Sequence, residues 1–236
     1  VWNYYDGYVF TNLLYGLSYS MIYFAIFLLG GILGIALWFY LSGFITRLQQ
    51  EIYATYVELF PQNRSPFQPH FASIQQKKCG HILRYFLSVG VGFIFLQIAF
   101  KDSIFTVWIG LTLLILWAIS YLDWHYQLIS TTPCLWLLTI GLFGADNHFS
   151  LLTLSESIKS AASFFIVFYT IYWVAKFYYG KEAFGRGDYW LAMALGSFIH
   201  LETLPHFLLL ASVLGICFSL IHRKKKEFLP FAPFMN

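Results

Sequence analysis

The stretch MIYFAIFLLGGILGIALWFYLSGFI, residues Met21–Ile45, carries almost only apolar or small side chains. A membrane-spanning helix needs about 20 such residues, so we predict that this stretch crosses a bilayer. Its glycines, Gly30, Gly31 and Gly34, suit close packing between helices. Hydrophobic residues form 59% of the chain and charged residues 11%, whereas soluble domains carry about 25% charged residues. The sequence therefore predicts an integral membrane protein.

Six further apolar segments follow the first. They cover residues 85–100, 104–122, 128–145, 161–179, 189–199 and 205–221, the sixth of the seven segments being short. We expect an all-α fold, a polytopic membrane helix bundle of about seven or eight transmembrane helices, because lipid requires every backbone polar group to be paired within the segment. Residues 21–236 would form this domain, with a polar cytoplasmic loop at 46–84 and a last helix cut short at residue 236. Residues 1–20 are expected to be an N-terminal extension.

Basic residues lie mainly on one side of the predicted bundle. If the loop after the first span is cytoplasmic, eleven Lys and Arg residues fall on the cytoplasmic side and two on the other. Lys and Arg favour cytoplasmic loops, so this asymmetry fixes the orientation. The cytoplasmic set is Arg47, Arg64, Lys77, Lys78, Arg84, Lys181, Arg186 and Arg223–Lys226, and the opposite set is Lys101 and Lys159.

The same topology brings two carboxylates to one face. Asp123 ends the third predicted span and Asp188 begins the sixth, both on the cytoplasmic side. An aspartate at a helix boundary is commonly a cap or an interfacial residue, and this is the simpler interpretation of either residue alone. Gly185 and Gly187, just before Asp188, let the backbone approach a substrate closely or adopt positive φ. We therefore interpret Asp123 and Asp188 as a functional pair.

Two adjacent carboxyl groups do not both ionise easily, so the pair shares a proton. The charged member can activate a water and the protonated member can donate to a scissile carbonyl. That chemistry hydrolyses a peptide without a covalent intermediate. The sequence leaves open which aspartate holds the proton.

Other arrangements have less support in the sequence. Seven histidines are scattered without an HExxH motif, and no GxSxG motif occurs. His125 could tune Asp123, but a position at headgroup level is the simpler interpretation. Cys79, Cys134 and Cys217 form no CxxC pair, so neither a disulfide framework nor a four-cysteine zinc site is expected. A net charge of +3 without a long basic stretch gives no indication of nucleic-acid binding.

Three blocks resemble the prepilin peptidases, also called type IV leader peptidases, which are GxGD-type intramembrane aspartyl proteases. DWHYQLISTTPCLWLLTIGL (Asp123–Leu142) is similar to the family segment that opens on the first aspartate. GKEAFGRGDYWLAMALGSF (Gly180–Phe198) resembles the family's G-K-x-x-x-G-x-G-D segment, so Gly180, Lys181, Gly185 and Gly187 support the second aspartate. FLPFAPFM (Phe228–Met235) resembles the stretch that opens the last helix.

The resemblance implies an eight-helix protein of the bacterial inner membrane, with Asp123 and Asp188 as its catalytic pair facing the cytoplasm. Substrates would be type IV prepilins or pseudopilins, whose short basic leaders are removed. Membrane lipid is an expected partner, and nucleic acid is not. The peptidase reaction needs no cofactor. S-adenosylmethionine would be used only if the N-methyltransferase activity of some members is retained.

The chain departs from the family pattern at several positions. Ser130 and Thr131 stand where the family has Pro-Asp, and Trp190 where it usually has Lys. Many members bind zinc through two CxxC pairs in the cytoplasmic loop. Here only Cys79 remains, as a remnant of that site, so no metal is expected.

Three alternatives stay open at this point. The chain could be a transporter or channel, in which acids lie nearer the middle of the membrane. It could be an inactive scaffold of pilus assembly. It could also be a bifunctional peptidase and methyltransferase. The sequence does not indicate an oligomeric state.

Overall fold

The computed structural model describes residues 4–59, 79–180 and 185–221 of the chain, and its regular elements in these ranges are all helices. The predicted all-α membrane bundle is therefore confirmed. The helices are α1 (Tyr4–Ser42), α2 (Phe44–Leu59), α3 (Ile82–Phe100), α4 (Ser103–Tyr126), α5 (Thr131–Asp146), α6 (Leu154–Tyr179), α7 (Asp188–Gly196) and α8 (Leu204–Ile221), with a 3-10 turn at Leu201–Thr203.

Four helical stretches among the described residues are long and apolar enough to cross a membrane. They are Ser20–Ser42, Ile82–Phe100, Ser103–Tyr126 and Leu154–Tyr178. By contrast, α7 has nine residues and is about 14 Å long, about half of a 30 Å hydrocarbon core. The predicted total of seven or eight spans stays a prediction, and the expected last helix at 228–236 lies outside the described residues.

Two helix boundaries differ from those expected from hydropathy. The loop predicted at 46–84 contains α2, in which Ile45, Ile52 and Tyr56 recur at helical spacing. Helix α6 begins at Leu154, within a stretch that we expected to be polar loop. Thr153 and Glu156 explain this start, because the Thr153 hydroxyl accepts from the Glu156 N–H and the Glu156 carboxylate accepts from the Thr153 N–H.

The chain forms two compact units, Val1–Gly110 and Leu111–Asn236. In the first unit, α1 packs along α3. A Cβ added at Gly30 would lie 2.8 Å from the ring of Phe93, and one at Gly34 would lie 2.9 Å from the backbone carbonyl carbon of Tyr85. The prediction that these glycines permit close helix packing is therefore confirmed.

In the second unit, the short helix α7 packs against α5 and α6. The buried core is apolar and draws on α4, α5, α6, α7 and α8. Its members are Ile119, Cys134, Leu137, Phe164, Phe168, Leu191, Ala192, Ala194, Leu195 and Ala211. This core surrounds α7, so the first residue of α7 also belongs to the protein interior.

Candidate active site

Asp123 lies in the last turn of α4 and points into the protein. Its side chain is 4% exposed, and Ile119 and Leu122 beside it are equally buried. Residues three and four positions apart share one helix face, so the apolar residues that anchor α4 also direct Asp123 inward. A charged residue on such a face is unusual and indicates a specific role.

The chain turns sharply after this aspartate. The Gln127 N–H donates to the Asp123 carbonyl at 2.9 Å, and Gln127 has a φ of 52°, the left-handed conformation that commonly ends helices. Residues up to Ser130 are then irregular, and α5 begins at Thr131. Ser130 and Thr131, the predicted departures from the family pattern, thus lie at the start of α5.

Asp188 is the first residue of α7 and is 6% exposed. The Gly185 N–H donates to Oδ2 of Asp188 at 3.1 Å. In return, the Asp188 N–H donates to the Gly185 carbonyl at 3.2 Å. This reciprocal pair folds the GxGD segment into a tight turn and orients the carboxyl group.

Gly187 brings the two aspartate-bearing segments into contact. A Cβ at this position would lie 2.7 Å from the carbonyl oxygen of Ile129, in the linker that follows Asp123. Real Cβ atoms do not approach a backbone oxygen so closely, so only glycine fits without a shift. The sequence predicted that Gly185 and Gly187 allow a close approach to a substrate or a positive φ, whereas the close approach at Gly187 is to Ile129 of the protein itself.

Gly180 has a different role in the same segment. It ends α6 with a φ of 62°, and its N–H donates to the Lys176 carbonyl at 3.0 Å. Glycine is the residue best suited to this left-handed cap. Lys181, which the resemblance also singled out, lies outside the described residues.

The two carboxyl groups interact electrostatically, since Asp123 is a charge neighbour of Asp188. The Cys134 thiol is a second such neighbour; it is 1% exposed and donates to the Ser130 carbonyl at 3.3 Å. Asp123 and Asp188 therefore share one buried region of the second unit. Their catalytic role stays a prediction.

Aromatic side chains of α6 form a wall next to Asp188 that sequence reasoning missed. The ring of Tyr189 lies 5.5 Å from Phe165, 5.5 Å from Tyr169 and 5.8 Å from Tyr172. The three α6 residues recur at positions i, i+4 and i+7, the spacing of one helix face, which was the available signal. Trp190 also joins this wall, with its ring 5.4 Å from Phe165.

His125 is held by its own helix. Its ring stacks on Tyr121 at 4.1 Å, and Nδ1 lies 3.0 Å from the Tyr121 carbonyl. This geometry accounts for the orientation of the imidazole ring. The proposed tuning of Asp123 by His125 stays without support.

Cys79 is half-buried. Among the described residues, no group of three or more His, Cys, Asp or Glu side chains is arranged to hold a metal ion. Residues 60–78, about half of the predicted loop at 46–84, lie outside the described ranges. The expectation that this chain binds no zinc stays a prediction.

Apolar helices long enough to cross a membrane and a buried aspartate pair define a class of protein, the helical membrane proteins with a buried pair of carboxyl groups. A model of the type IV leader peptidase family matches residues 110–220, which include both aspartates. The chain is also 94% identical over 216 residues to a prepilin leader peptidase/N-methyltransferase of Haemophilus influenzae, covering 92% of this chain and 94% of the relative. The chain belongs to the type IV leader peptidase family.

More distant relatives match a smaller part. A type 4 prepilin-like proteins leader peptide-processing enzyme of Escherichia coli is 34% identical over 119 residues, covering 50% of this chain and 44% of the relative. A prepilin leader peptidase/N-methyltransferase of Pseudomonas aeruginosa is 31% identical over 140 residues, covering 56% of this chain and 48% of the relative. No solved structure matches the chain.

Proposed function

We propose that this protein is an intramembrane aspartyl endopeptidase that removes the leader from type IV prepilins or pseudopilins, with Asp123 and Asp188 as its catalytic pair. One observation carries the proposal. Two carboxyl groups from separate helices, α4 and α7, are each at least nine-tenths buried and interact with one another. Burying two carboxyl groups beside one another is costly, so function is the reason to keep them.

The pair would act through one water and one shared proton. The ionised carboxylate removes a proton from water, whose oxygen attacks the scissile carbonyl carbon, while the protonated carboxyl donates its proton to the carbonyl oxygen. The resulting tetrahedral diol collapses when the ionised carboxylate takes a proton from one diol hydroxyl, the C–N bond breaks, and the protonated carboxyl gives its proton to the departing amine. One water is consumed, and the pair returns to its singly protonated state.

The hydrogen bond from Gly185 supports this chemistry by fixing one oxygen of Asp188. A carboxylate oxygen that accepts from a backbone N–H cannot rotate freely, so Oδ1 is left to face the water or the substrate. The preorganised geometry reduces the entropy that the reaction would otherwise lose.

The substrate and the location follow from the family and from the charge asymmetry. The protein would lie in the bacterial inner membrane with its aspartate pair open toward the cytoplasm, where the basic leader of a prepilin remains. Cleavage would follow the glycine that precedes the hydrophobic helix of the substrate. A site at the ends of α4 and α7 would suit this, because the cut must be made where the leader meets the bilayer.

Cleavage of a purified prepilin by the Asp123→Asn and Asp188→Asn variants tests the proposal. Each should lose about 100- to 10,000-fold in rate, the usual contribution of a general acid or base. Asp146→Asn is the matched control, because Asp146 is exposed at the far end of α5, and it should cleave like the wild type. Full processing by either site variant would refute the assignment.

A second activity, N-methylation of the new amino terminus with S-adenosylmethionine, is proposed because the name of the 94% identical relative includes both activities. S-adenosylmethionine would supply the methyl group. Among the described residues, no set of side chains can be assigned to S-adenosylmethionine binding. The proposed peptidase mechanism uses no S-adenosylmethionine.

Methyl transfer can be measured separately from cleavage. A synthetic mature amino terminus and labelled S-adenosylmethionine are supplied to the wild type and to Asp188→Asn. Equal incorporation of label by both would support a second, separate site. No incorporation by the wild type would restrict the protein to peptidase activity.

A further inference from the structure

The far end of α7 is fixed to α6 by two buried serine hydroxyls. Ser157 Oγ donates to the Ser197 carbonyl at 2.7 Å, and Ser160 Oγ donates to the Ile199 carbonyl at 2.6 Å. Both serine side chains are almost fully buried, at 0% and 1% exposure. Backbone carbonyls beyond a helix end have no helical partner, and in lipid each unpaired one costs several kcal/mol, so these bonds hold the segment strongly.

The packing around these bonds brings α7 and the residues after it close to two neighbouring helices. A Cβ at Gly196 would lie 2.9 Å from Phe164 and 3.0 Å from the Cα of Ala161, both on α6. On the other side, a Cβ at Gly141 of α5 would lie 2.9 Å from the ring of Phe198. The C-terminal end of α7 is thus held between two helices at contact distance.

Asp188 lies at the N-terminal end of α7. This end packs beside the middle of α6, well before the C-terminal end of α6. Tyr189 packs against Tyr169 and Tyr172, whereas α6 continues to Tyr179, about 10 Å further along its axis. A helix transmits a displacement along its length because its hydrogen-bonded turns are stiff. The hydrogen bonds to the carbonyls of Ser197 and Ile199 therefore set the position of Asp188 along α6.

We propose that Ser157 and Ser160 are positioning residues, which fix the depth of α7 and so hold Asp188 opposite Asp123. This inference rests on the proposed peptidase function. The serines lie at the opposite end of α7 from the carboxyl group and touch no reacting atom. Loss of their bonds would let α7 shift along α6, and a displacement of about 1 Å at a catalytic group can lower a rate about 100-fold.

The test compares Ser157→Ala, Ser160→Ala and the double variant with Ser163→Ala. Ser163 is the matched control, because it lies on α6 and its hydroxyl donates only to the Lys159 carbonyl of the same helix, at 2.8 Å. Purified enzymes are compared by kcat per folded molecule and by KM for a prepilin. We expect the double variant to lose about 10- to 100-fold in kcat with KM changed less than about three-fold, each single variant to lose less, and the control to match the wild type.

A second measurement separates positioning from stability. Asp123→Cys and Asp188→Cys are combined in a protein whose native cysteines are replaced by serine, and the rate of disulfide formation is measured with and without the two serine-to-alanine changes. A shifted α7 would slow disulfide formation several-fold in the folded protein. An unchanged disulfide rate together with wild-type kcat would overturn the inference, as would an equal loss of kcat in the Ser163→Ala control.

The two proposals fail in different ways. If Asp188→Asn keeps full cleavage, the proposed function is wrong. If Asp188→Asn abolishes cleavage while the double serine variant keeps wild-type kcat, only the positioning inference is wrong. If the double variant does not fold, the Ser157→Ala and Ser160→Ala variants, each of which keeps one of the two bonds, decide by the same two measurements.

Discussion

Asp188 is oriented by a four-residue turn, Gly185–Asp188, in which a backbone N–H donates to its carboxyl group. Its Oδ2 accepts from Gly185, while Gly187 lets the turn lie against Ile129. The two glycines therefore have separate roles, one in holding the carboxyl group and one in bringing the two aspartate-bearing segments together. This explains in physical terms why a GxGD sequence suits an aspartate whose carboxyl group must lie next to a second carboxyl group.

Gly187→Ala should lower cleavage about 100-fold, because its Cβ would displace the linker at Ile129 and move Asp188 away from Asp123. The overpacking should also cost about 1–3 kcal/mol of unfolding free energy. The matched control is Gly92→Ala in α3, since a Cβ at Gly92 meets nothing within 4 Å. Cleavage rate and thermal melting are measured for both, and a Gly187→Ala enzyme as active as the control would contradict the contact.

Cys79→Ser should leave cleavage unchanged, because a single half-buried thiol cannot build the four-ligand site of a structural zinc. Cleavage is measured alongside the metal content of the purified protein. Bound zinc that is lost with this substitution would show that the remaining ligands come from elsewhere in the chain.

At the scale of the elements, α7 and α6 form the frame of the site. Helix α7 is too short to cross a bilayer, and the aromatic wall of α6 fixes its first turn through Tyr189. Aromatic pairs of this edge-to-face kind contribute about 0.5–1.5 kcal/mol each beyond their buried area. The aromatic wall and the hydrogen bonds from Ser157 and Ser160 thus hold α7 at its two ends.

Tyr189→Ala should reduce kcat about ten-fold or more, because loss of the ring frees the first turn of α7, where Asp188 lies. Tyr189→Phe keeps the ring and should retain most of the activity, since the contacts described are between ring planes. The kcat of both variants is measured with a prepilin substrate. Equal losses in the two would assign the effect to the hydroxyl group instead.

The sequence predicted the bounds of the helices well where hydrophobicity determines them and less well where tertiary contacts determine them. The hairpin of α3 and α4 and the end of α6 at Gly180 follow from apolar runs and from a glycine cap. The true length of α7 does not, because apolar residues continue past Gly196, and the end of the helix is marked by serine hydroxyls that bind backbone carbonyls, two on α6 and that of Ser197. The pair of aspartates was predictable from topology, whereas the contact of Gly187 with Ile129 depends on the three-dimensional path of two loops.

At the scale of the whole molecule, the distribution of charge predicts one orientation in the membrane. Arg186 lies in the turn before Asp188, and Asp146 lies at the opposite end of α5 from the linker that follows Asp123. Cytoplasmic loops carry the excess of basic residues. The aspartate pair should therefore open to the cytoplasm.

This orientation can be measured in cells by labelling single cysteines. Arg186→Cys and Asp146→Cys are introduced separately into a protein whose native cysteines are replaced by serine, and a membrane-impermeant maleimide is added. We expect Asp146→Cys to react from outside spheroplasts and Arg186→Cys to react only in inverted vesicles, since both positions are exposed. The reverse pattern would place the aspartate pair on the other side of the membrane.

The most direct test of the carboxylate pair is a double-variant comparison of cleavage rates for Asp123→Asn, Asp188→Asn and the two combined. Catalytic groups that act as one unit do not lose activity additively. We predict that each single variant falls to the same residual rate as the double variant. Losses that multiply in the double variant, or a single variant that cleaves at the wild-type rate, would contradict the account.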